Sequence, residues 1–310
     1  MPAHATTRED DMSDAQLTTP RVGMVGIGLM GHGIATNIQR AGWPLAFLEH
    51  PGNQPVDELL AQGATSFATG AELARHAEVI ILCVTGSPQV EDVLFREEGV
   101  LQGLQPGTVI IDCSTAIPSS TLRIAEAVEA AGGRFLDAPM TRTPKEAAEG
   151  RLNLLVGGDR ELFEAQLPLL ESFAENITHA GPVGAGHQLK LLHNYVSVGF
   201  STVLAEAAAC AERGGIEPGV FVDVLAQGGG AGTVLERLRP YIQARDASGF
   251  RFSIANAHKD LGYYLAMAGD LGAAREAAAG IDKVLGEAES GGHAQATLPE
   301  LISLLGERDA

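Results

Sequence analysis

Two hydrophobic periods follow one another along the chain and divide it near residue 184. Up to about residue 182, short apolar runs alternate with stretches of helical period. The runs 21–26, 45–49, 79–84, 108–112, 134–137, 152–156 and 176–179 have the length and residue types of strands. Between them, 34–41 and 119–131 read as helices, with Gly or Pro at the joints. Runs that are apolar almost throughout predict a mostly parallel sheet covered by helices on both faces. After Gly181-Pro182-Val183-Gly184 the strand period stops. Residues 189–213 read as one long helix, and 218–226, 233–244, 254–268, 273–288 and 299–305 as further helices, with a glycine-rich loop at 228–232. The expected organisation is an α/β domain over 21–183, doubly wound around a mostly parallel sheet, and an all-α domain over 184–310. Residues 1–20, polar and acidic, read as a flexible tail with no apolar stretch of signal-peptide type.

The joint after the first strand carries chemistry. Gly26-Ile27-Gly28-Leu29-Met30-Gly31 matches GxGxxG between a strand and a helix. In that context Gly26 permits the tight turn and Gly28 lets backbone amides approach a pyrophosphate. Gly31 lets the helix pack close to the strand and aim its positive end at the phosphates. The α/β half therefore reads as a Rossmann domain that binds a dinucleotide through Gly26, Gly28, Leu29, Met30 and Gly31. Glu49 ends the second strand, at the place where an acid accepts from the adenosine ribose and repels a 2′-phosphate. No Arg follows it. NAD is expected, with NADP the alternative.

Composition narrows the partners. The 310 residues hold 39 acidic and 21 basic side chains, a net charge of −18, which disfavours nucleic acid and anionic membranes. A small anionic substrate needs only a few local cations. The 3 cysteines are scattered, which suits a reducing cytoplasm, and no apolar run reaches the ~20 residues of a membrane helix. The 9 histidines show no metal-ligand spacing, so no metal is expected.

Five ordered segments together resemble the β-hydroxyacid dehydrogenase family, which includes 3-hydroxyisobutyrate dehydrogenase and tartronate semialdehyde reductase and is akin to 6-phosphogluconate dehydrogenase. They are Gly26–Gly31; Asp112-Cys113-Ser114-Thr115 with Pro118; Asp137-Ala138-Pro139 with Gly150 and Val156-Gly157-Gly158; Gly184-x-Gly186-x-x-x-Lys190-x-x-x-Asn194; and Lys259-Asp260-Leu261. The likeness runs from Arg21 to about Met267. It implies a NAD(P)-dependent oxidoreductase that interconverts a short 3-hydroxy acid and its aldehyde acid by hydride transfer. It also implies a homodimer or homotetramer built through the helical half. Residue by residue, it implies Lys190 as general acid/base with Asn194 beside it, and Ser114 and Thr115 in the substrate and cofactor loop. Val84 and Thr85 fall on the adenine-ribose side, and Lys259 reaches the cofactor.

One segment departs from the pattern. The family's Ser-Gly-Gly carboxylate cradle is Thr141-Arg142-Thr143 here, and Glu146 replaces another Gly. A guanidinium in that loop can grip a carboxylate, phosphate or sulfonate with two donors, or it can pair with Glu146 or Glu149 instead. At helical spacing His187, Lys190 and Asn194 share one face, with His187 the polar neighbour of the base. Two other readings of the fold are an imine reductase, which usually carries Asp or Tyr at the lysine position, and a dinucleotide-binding module without turnover. Lys190 argues against the first, and the intact set Ser114, Lys190 and Asn194 against the second.

Overall fold

A computed structural model describes residues 19–307. The tail expected over 1–20 lies outside the described residues, apart from Thr19 and Pro20. The first half contains β1 (Val22–Val25), α1 (Leu29–Arg40), β2 (Leu45–Leu48), α2 (Asp57–Ala61), β3 (Thr65–Phe67), α3 (Gly70–His76), β4 (Val79–Leu82), α4 (Ser87–Phe95) and α5 (Val100–Gly103). It continues with β5 (Val109–Asp112), α6 (Pro118–Ala130), β6 (Arg134–Asp137), β7 (Met140–Thr141), α7 (Pro144–Ala148), β8 (Leu152–Gly157), α8 (Arg160–Leu170) and β9 (Ala174–Gly181).

Strands β1, β2, β4 and β5 are buried along their whole length, as central strands with helices on both faces must be. The order β3-β2-β1-β4-β5-β6 is parallel throughout. Beyond β6 the direction reverses. β8 runs antiparallel to β6 and β7, and β9 pairs parallel to β8. The chain leaves β1 toward β2 on one side and returns at β4 on the other, which opens a crevice at the carboxyl ends of β1 and β4. The short edge strand β3 has no buried residue, which is why no apolar run announces it.

The second half is helical: α9 (Ala185–Arg213), α10 (Pro218–Ala226), α11 (Thr233–Ala244), α12 (Ile254–Asp270), α13 (Glu276–Ala288) and α14 (Leu301–Gly306). These elements enclose their own apolar core around Leu191, Val198, Leu238, Leu261 and Leu285. No described helix is long and apolar enough to cross a membrane.

The long helix starts at Ala185, four residues earlier than its apolar period suggests. The reason lies far upstream. Asp137, at the end of β6 and fully buried, accepts from the backbone amides of Gly184 at 2.7 Å and His187 at 2.8 Å. It thus caps a helix that offers no capping side chain of its own. The close approach requires missing side chains. A Cβ on Gly186 would lie 2.2 Å from the Leu155 carbonyl oxygen, and one on Gly157 would lie 2.5 Å from Asp137 Oδ1. Gly186→Ala should therefore destabilise the protein by about 1–3 kcal/mol, the usual cost of overpacking a dense interior. Chemical denaturation checks this, and an unchanged midpoint would contradict the packing described.

Candidate active site

The glycine turn forms the floor of the crevice. Gly26 has φ +93°, and a Cβ there would lie 2.3 Å from the Cys83 carbonyl oxygen; on Gly31 it would lie 2.0 Å from the Gly26 carbonyl oxygen. These two glycines bring strand, turn and helix together. Gly28 differs, for nothing lies within 4 Å of a Cβ placed on it. Its open side faces a groove of about 540 Å3, and no side chain caps the amides of the first turn of α1. Asn53 braces the turn, accepting from Ile27 N at 3.1 Å and donating to the Leu48 carbonyl at 3.1 Å. Gly26, Gly28, Leu29, Met30, Gly31, Val84, Thr85, Thr115 and Lys259 all line the groove, with His50 and Asn53. An open cradle at a helix N-terminus, continued by a long groove, fits the pyrophosphate and arms of a nicotinamide dinucleotide.

Two residues expected to face ligands are placed differently. Glu49 follows β2, but its carboxylate accepts from Ser66 Oγ of β3 at 2.7 Å, while Leu48 and His50 on either side line the groove. Ser114 is buried behind the wall. Its hydroxyl accepts from Val84 N at 3.0 Å, and its amide donates to Asp112 Oδ1 at 2.9 Å, so it ties the ends of β4 and β5 together. It lines neither this groove nor the cavity described next.

The face of α9 predicted to carry chemistry does point inward. His187, fully buried, bonds with Thr121 Oγ1 at 2.8 Å and the Ser114 carbonyl at 3.1 Å, anchoring the helix to the sheet domain. Asp112 ends β5 near it, and burial pushes that carboxyl above its usual range. One turn on, Lys190 makes no hydrogen bond among the described residues. Burial lowers its pKa below that of an exposed lysine, Asp260 draws it part of the way back, and Lys259 lowers it further. Asn194 Nδ2 donates to Asp260 Oδ2 at 2.6 Å. Lys259 Nζ lies 3.1 Å from Asp260 Oδ1 and donates to the Thr85 carbonyl at 2.5 Å, joining the helical half to the rim of the groove.

A second cavity of about 320 Å3 opens beside Asn194. Thr141, Arg142, Thr143, Asn153, His193, Ser197, Arg237, Phe250 and Phe252 complete its lining. Phe252 belongs to both cavities, and Asp260, held by Asn194, belongs to the groove. Asn153 Nδ2 donates to Thr141 Oγ1 at 3.0 Å. Thr143 forms a capping box with Glu146 at the start of α7. Glu146 is thereby engaged, and Arg142 pairs with neither it nor Glu149. The Arg142 guanidinium instead contacts Glu175 and the Arg151 carbonyl through Nη1.

His193, Asn153, Ser197, Arg237 and Phe252 were not singled out in the sequence. His193 bonds through Nδ1 with Asn194 Oδ1 at 3.0 Å, and burial lowers its pKa. Its position three residues after Lys190 was the one available signal.

The comparisons with known proteins agree with this arrangement. Residues 21–181 match the NAD binding domain of 6-phosphogluconate dehydrogenase, and residues 184–305 match the NAD-binding domain of NADP-dependent 3-hydroxyisobutyrate dehydrogenase. The chain is 34% identical over 261 residues to the NAD-dependent L-serine dehydrogenase of Pseudomonas aeruginosa, covering 83% of this chain and 85% of that one. It is 34% identical to the 3-sulfolactaldehyde reductase of Escherichia coli, covering 81% and 84%. A solved structure of 3-hydroxyisobutyrate dehydrogenase from Mycobacterium tuberculosis, with L-serine, superposes with a TM-score of 0.83 at 26% identity, covering 93% of this chain and 99% of that one. An open glycine cradle, a capped interdomain helix bearing a part-buried lysine, and matches across both halves lead to one conclusion: the chain belongs to the β-hydroxyacid dehydrogenase family of NAD(P)-dependent oxidoreductases.

Proposed function

We propose that this protein interconverts a short 3-hydroxy acid and its aldehyde acid, with NAD in the groove, the substrate in the cavity beside Asn194, and Lys190 as general acid/base. One observation carries the reading: a part-buried lysine without a hydrogen-bond partner stands one turn before Asn194, on the helix that lines a polar, cation-bearing cavity next to a dinucleotide-sized groove, although Lys190 itself lines neither. Residues 21–183 hold the dinucleotide, and 184–310 complete the substrate site. When bound, the nicotinamide accepts or returns the hydride. The residues of this chain bind, orient and move one proton.

In oxidation, neutral Lys190 Nζ takes the hydroxyl proton as the carbonyl forms; in reduction, the ammonium returns it. Asn194, fixed by Asp260, orients the reacting oxygen. Ser114 acts through the Val84 amide as a positioning residue, and Thr115 and Lys259 border the cofactor. Thr141, Arg142 and Thr143 receive the carboxylate. Arg142 has φ +82°, a left-handed conformation that costs a residue with a Cβ about 1–2 kcal/mol, so the guanidinium is kept there against strain.

A homo-oligomer through the helical half is part of the proposal. Val196 and Val203 on α9 and Val224 on α10 are more than half exposed, a concentration of apolar side chains that a second copy would cover. Three unpaired cysteines suit a cytoplasmic setting.

Three measurements test the reading. Lys190→Ala should lower kcat by roughly 10²–10⁴-fold while dinucleotide binding stays intact. In the wild type, oxidation needs neutral lysine, so its kcat should rise with pH to a plateau through a midpoint below the ~10.4 of an exposed lysine. Reduction needs the charged form and should fall across the same midpoint. Near-normal turnover in Lys190→Ala would remove the assigned proton transfer.

For cofactor choice, kcat/KM with NAD should exceed that with NADP, and Glu49→Arg should narrow or invert the ratio. A wild-type preference for NADP would show that the Ser66-bound carboxylate takes no part in selection.

Arg142→Gly should raise KM for every acid substrate by about tenfold or more, the worth of a charge-assisted hydrogen bond. Stability should stay nearly constant, because relief of the left-handed strain offsets the lost contact with half-exposed Glu175. Unchanged KM values would assign Arg142 to the Glu175 pair alone.

A further inference from the structure

The cavity beside Asn194 contains a cation that the proton transfer and the carboxylate loop leave unused. Arg237, on α11, lines it from the helical half. Its guanidinium carbon lies 5.0 Å from the centroid of the Phe250 ring, and Phe250 stacks on Phe252, the wall shared with the cofactor groove. Among the described residues, Arg237 has neither a carboxylate nor a carbonyl partner.

Most described arginines pair with a carboxylate, Arg21, Arg123, Arg134 and Arg245 among them, in a protein with 39 acids for 21 bases; Arg237 has no such pair and faces a cavity. The acid next to Arg237 in sequence, Glu236, is taken by Arg239 Nη2 at 2.7 Å. Around the cavity, Glu175 answers Arg142 and Asp260 answers Lys259. Arg237 stands uncompensated, close enough to His193 to disfavour a second positive charge there. Stacking on an aromatic face holds the guanidinium fork in a set plane, so a planar anion can meet two donors with little further ordering.

We propose that Arg237 is a second anion receptor, and that the preferred substrate is a 3-hydroxy acid with two anionic groups. One carboxylate sits in the Thr141–Thr143 loop, and a second carboxylate or a sulfonate sits at Arg237. The cavity, at about 320 Å3, is at the small end of ordinary ligand sites and has polar groups on both walls. This substrate class rests on the oxidoreductase reading above; the receptor itself does not.

The test separates the two. Calorimetry on the dinucleotide-saturated enzyme compares glutarate, a dianion, with butyrate, a monoanion; neither carries a hydroxyl to oxidise. Glutarate should bind at least tenfold tighter to the wild type. Arg237→Gln should bring that ratio within threefold and leave butyrate unchanged, with Arg237→Lys in between. Turnover is then compared on 2-(hydroxymethyl)butanedioate and 3-hydroxy-2-methylpropanoate. Loss confined to the diacid in Arg237→Gln supports the proposal. Equal wild-type affinity for glutarate and butyrate overturns the receptor, whatever the enzyme oxidises. An Arg237-dependent glutarate preference without turnover of either hydroxy acid upholds the receptor and overturns the 3-hydroxy-acid reading. If Arg237→Gln loses its cooperative melt, Arg237→Lys carries the same comparison.

Discussion

The geometry of the site depends on one buried carboxylate. Asp137 ends β6 and holds the first turn of α9 by two backbone amides. A fully buried carboxylate carries a desolvation penalty of several kcal/mol unless donors surround it. Here the amides and the positive end of a long helix supply that compensation. The dependence is mutual: without the carboxylate the helix end has orphaned donors, and without the helix the carboxylate is an unpaired buried charge. Gly157 and Gly186 enter this arrangement as absences, since a Cβ on either would occupy the space where carboxylate, β8 and helix meet. The segments Asp-Ala-Pro, Val-Gly-Gly and Gly-x-Gly-x-x-x-Lys are separate in sequence but form one joint in space.

That joint sets the position of everything downstream on α9. His187, locked between Thr121 and the Ser114 carbonyl, fixes the rotation of the helix. Lys190 and Asn194 then follow at three and seven residues along the same face. Asp260 accepts from Asn194 and pairs with Lys259, and Lys259 reaches the Thr85 carbonyl at the rim of the groove. A short polar chain thus runs from the cavity beside Asn194 to the rim of the groove. General acid/base catalysis tolerates little misplacement, and a lysine on a helix held by both domains meets that requirement better than one on a free surface helix.

How much of this was legible in sequence follows from the range of each interaction. The buried strands, the glycine turn and the inward face of α9 are local patterns, and the structure has each of them where the pattern lies. The apolar period begins four residues after the start of α9 because the first turn is held by a cap from Asp137, 47 positions before Gly184, rather than by apolar packing. Glu49 could be placed at the end of β2, but its hold on Ser66 could not, because β3 is three residues long with no buried position. Ser114 carries a family motif, yet its hydroxyl faces the Val84 amide, a cross-strand partner that no spacing rule supplies. Arg237 gave no signal at all. In sequence it is one of two arginines on an amphipathic helix, and its place against Phe250 on the cavity wall, with no acid facing it, is defined only in three dimensions.

The charge of the molecule and the charge of its cavity have opposite signs, and the reason they coexist bears on how the site selects. Surface carboxylates are screened beyond the ~8 Å Debye length of physiological salt. An anion inside the cavity therefore responds to nearby groups more than to the net −18. Those groups come from different places in the fold. Lys190 and Asn194 stand on α9, whose position is set by the sheet. The cations stand on the β7–α7 loop and on α11, elements that take no part in the Asp137 joint. The loop and α11 are different elements from the helix that bears Lys190, although α11 packs against it in one shared core. Under the proposed function, recognition of the substrate's charges and proton transfer thus fall on different elements, and a relative with glycines in the loop can pair the same chemistry with a different acid.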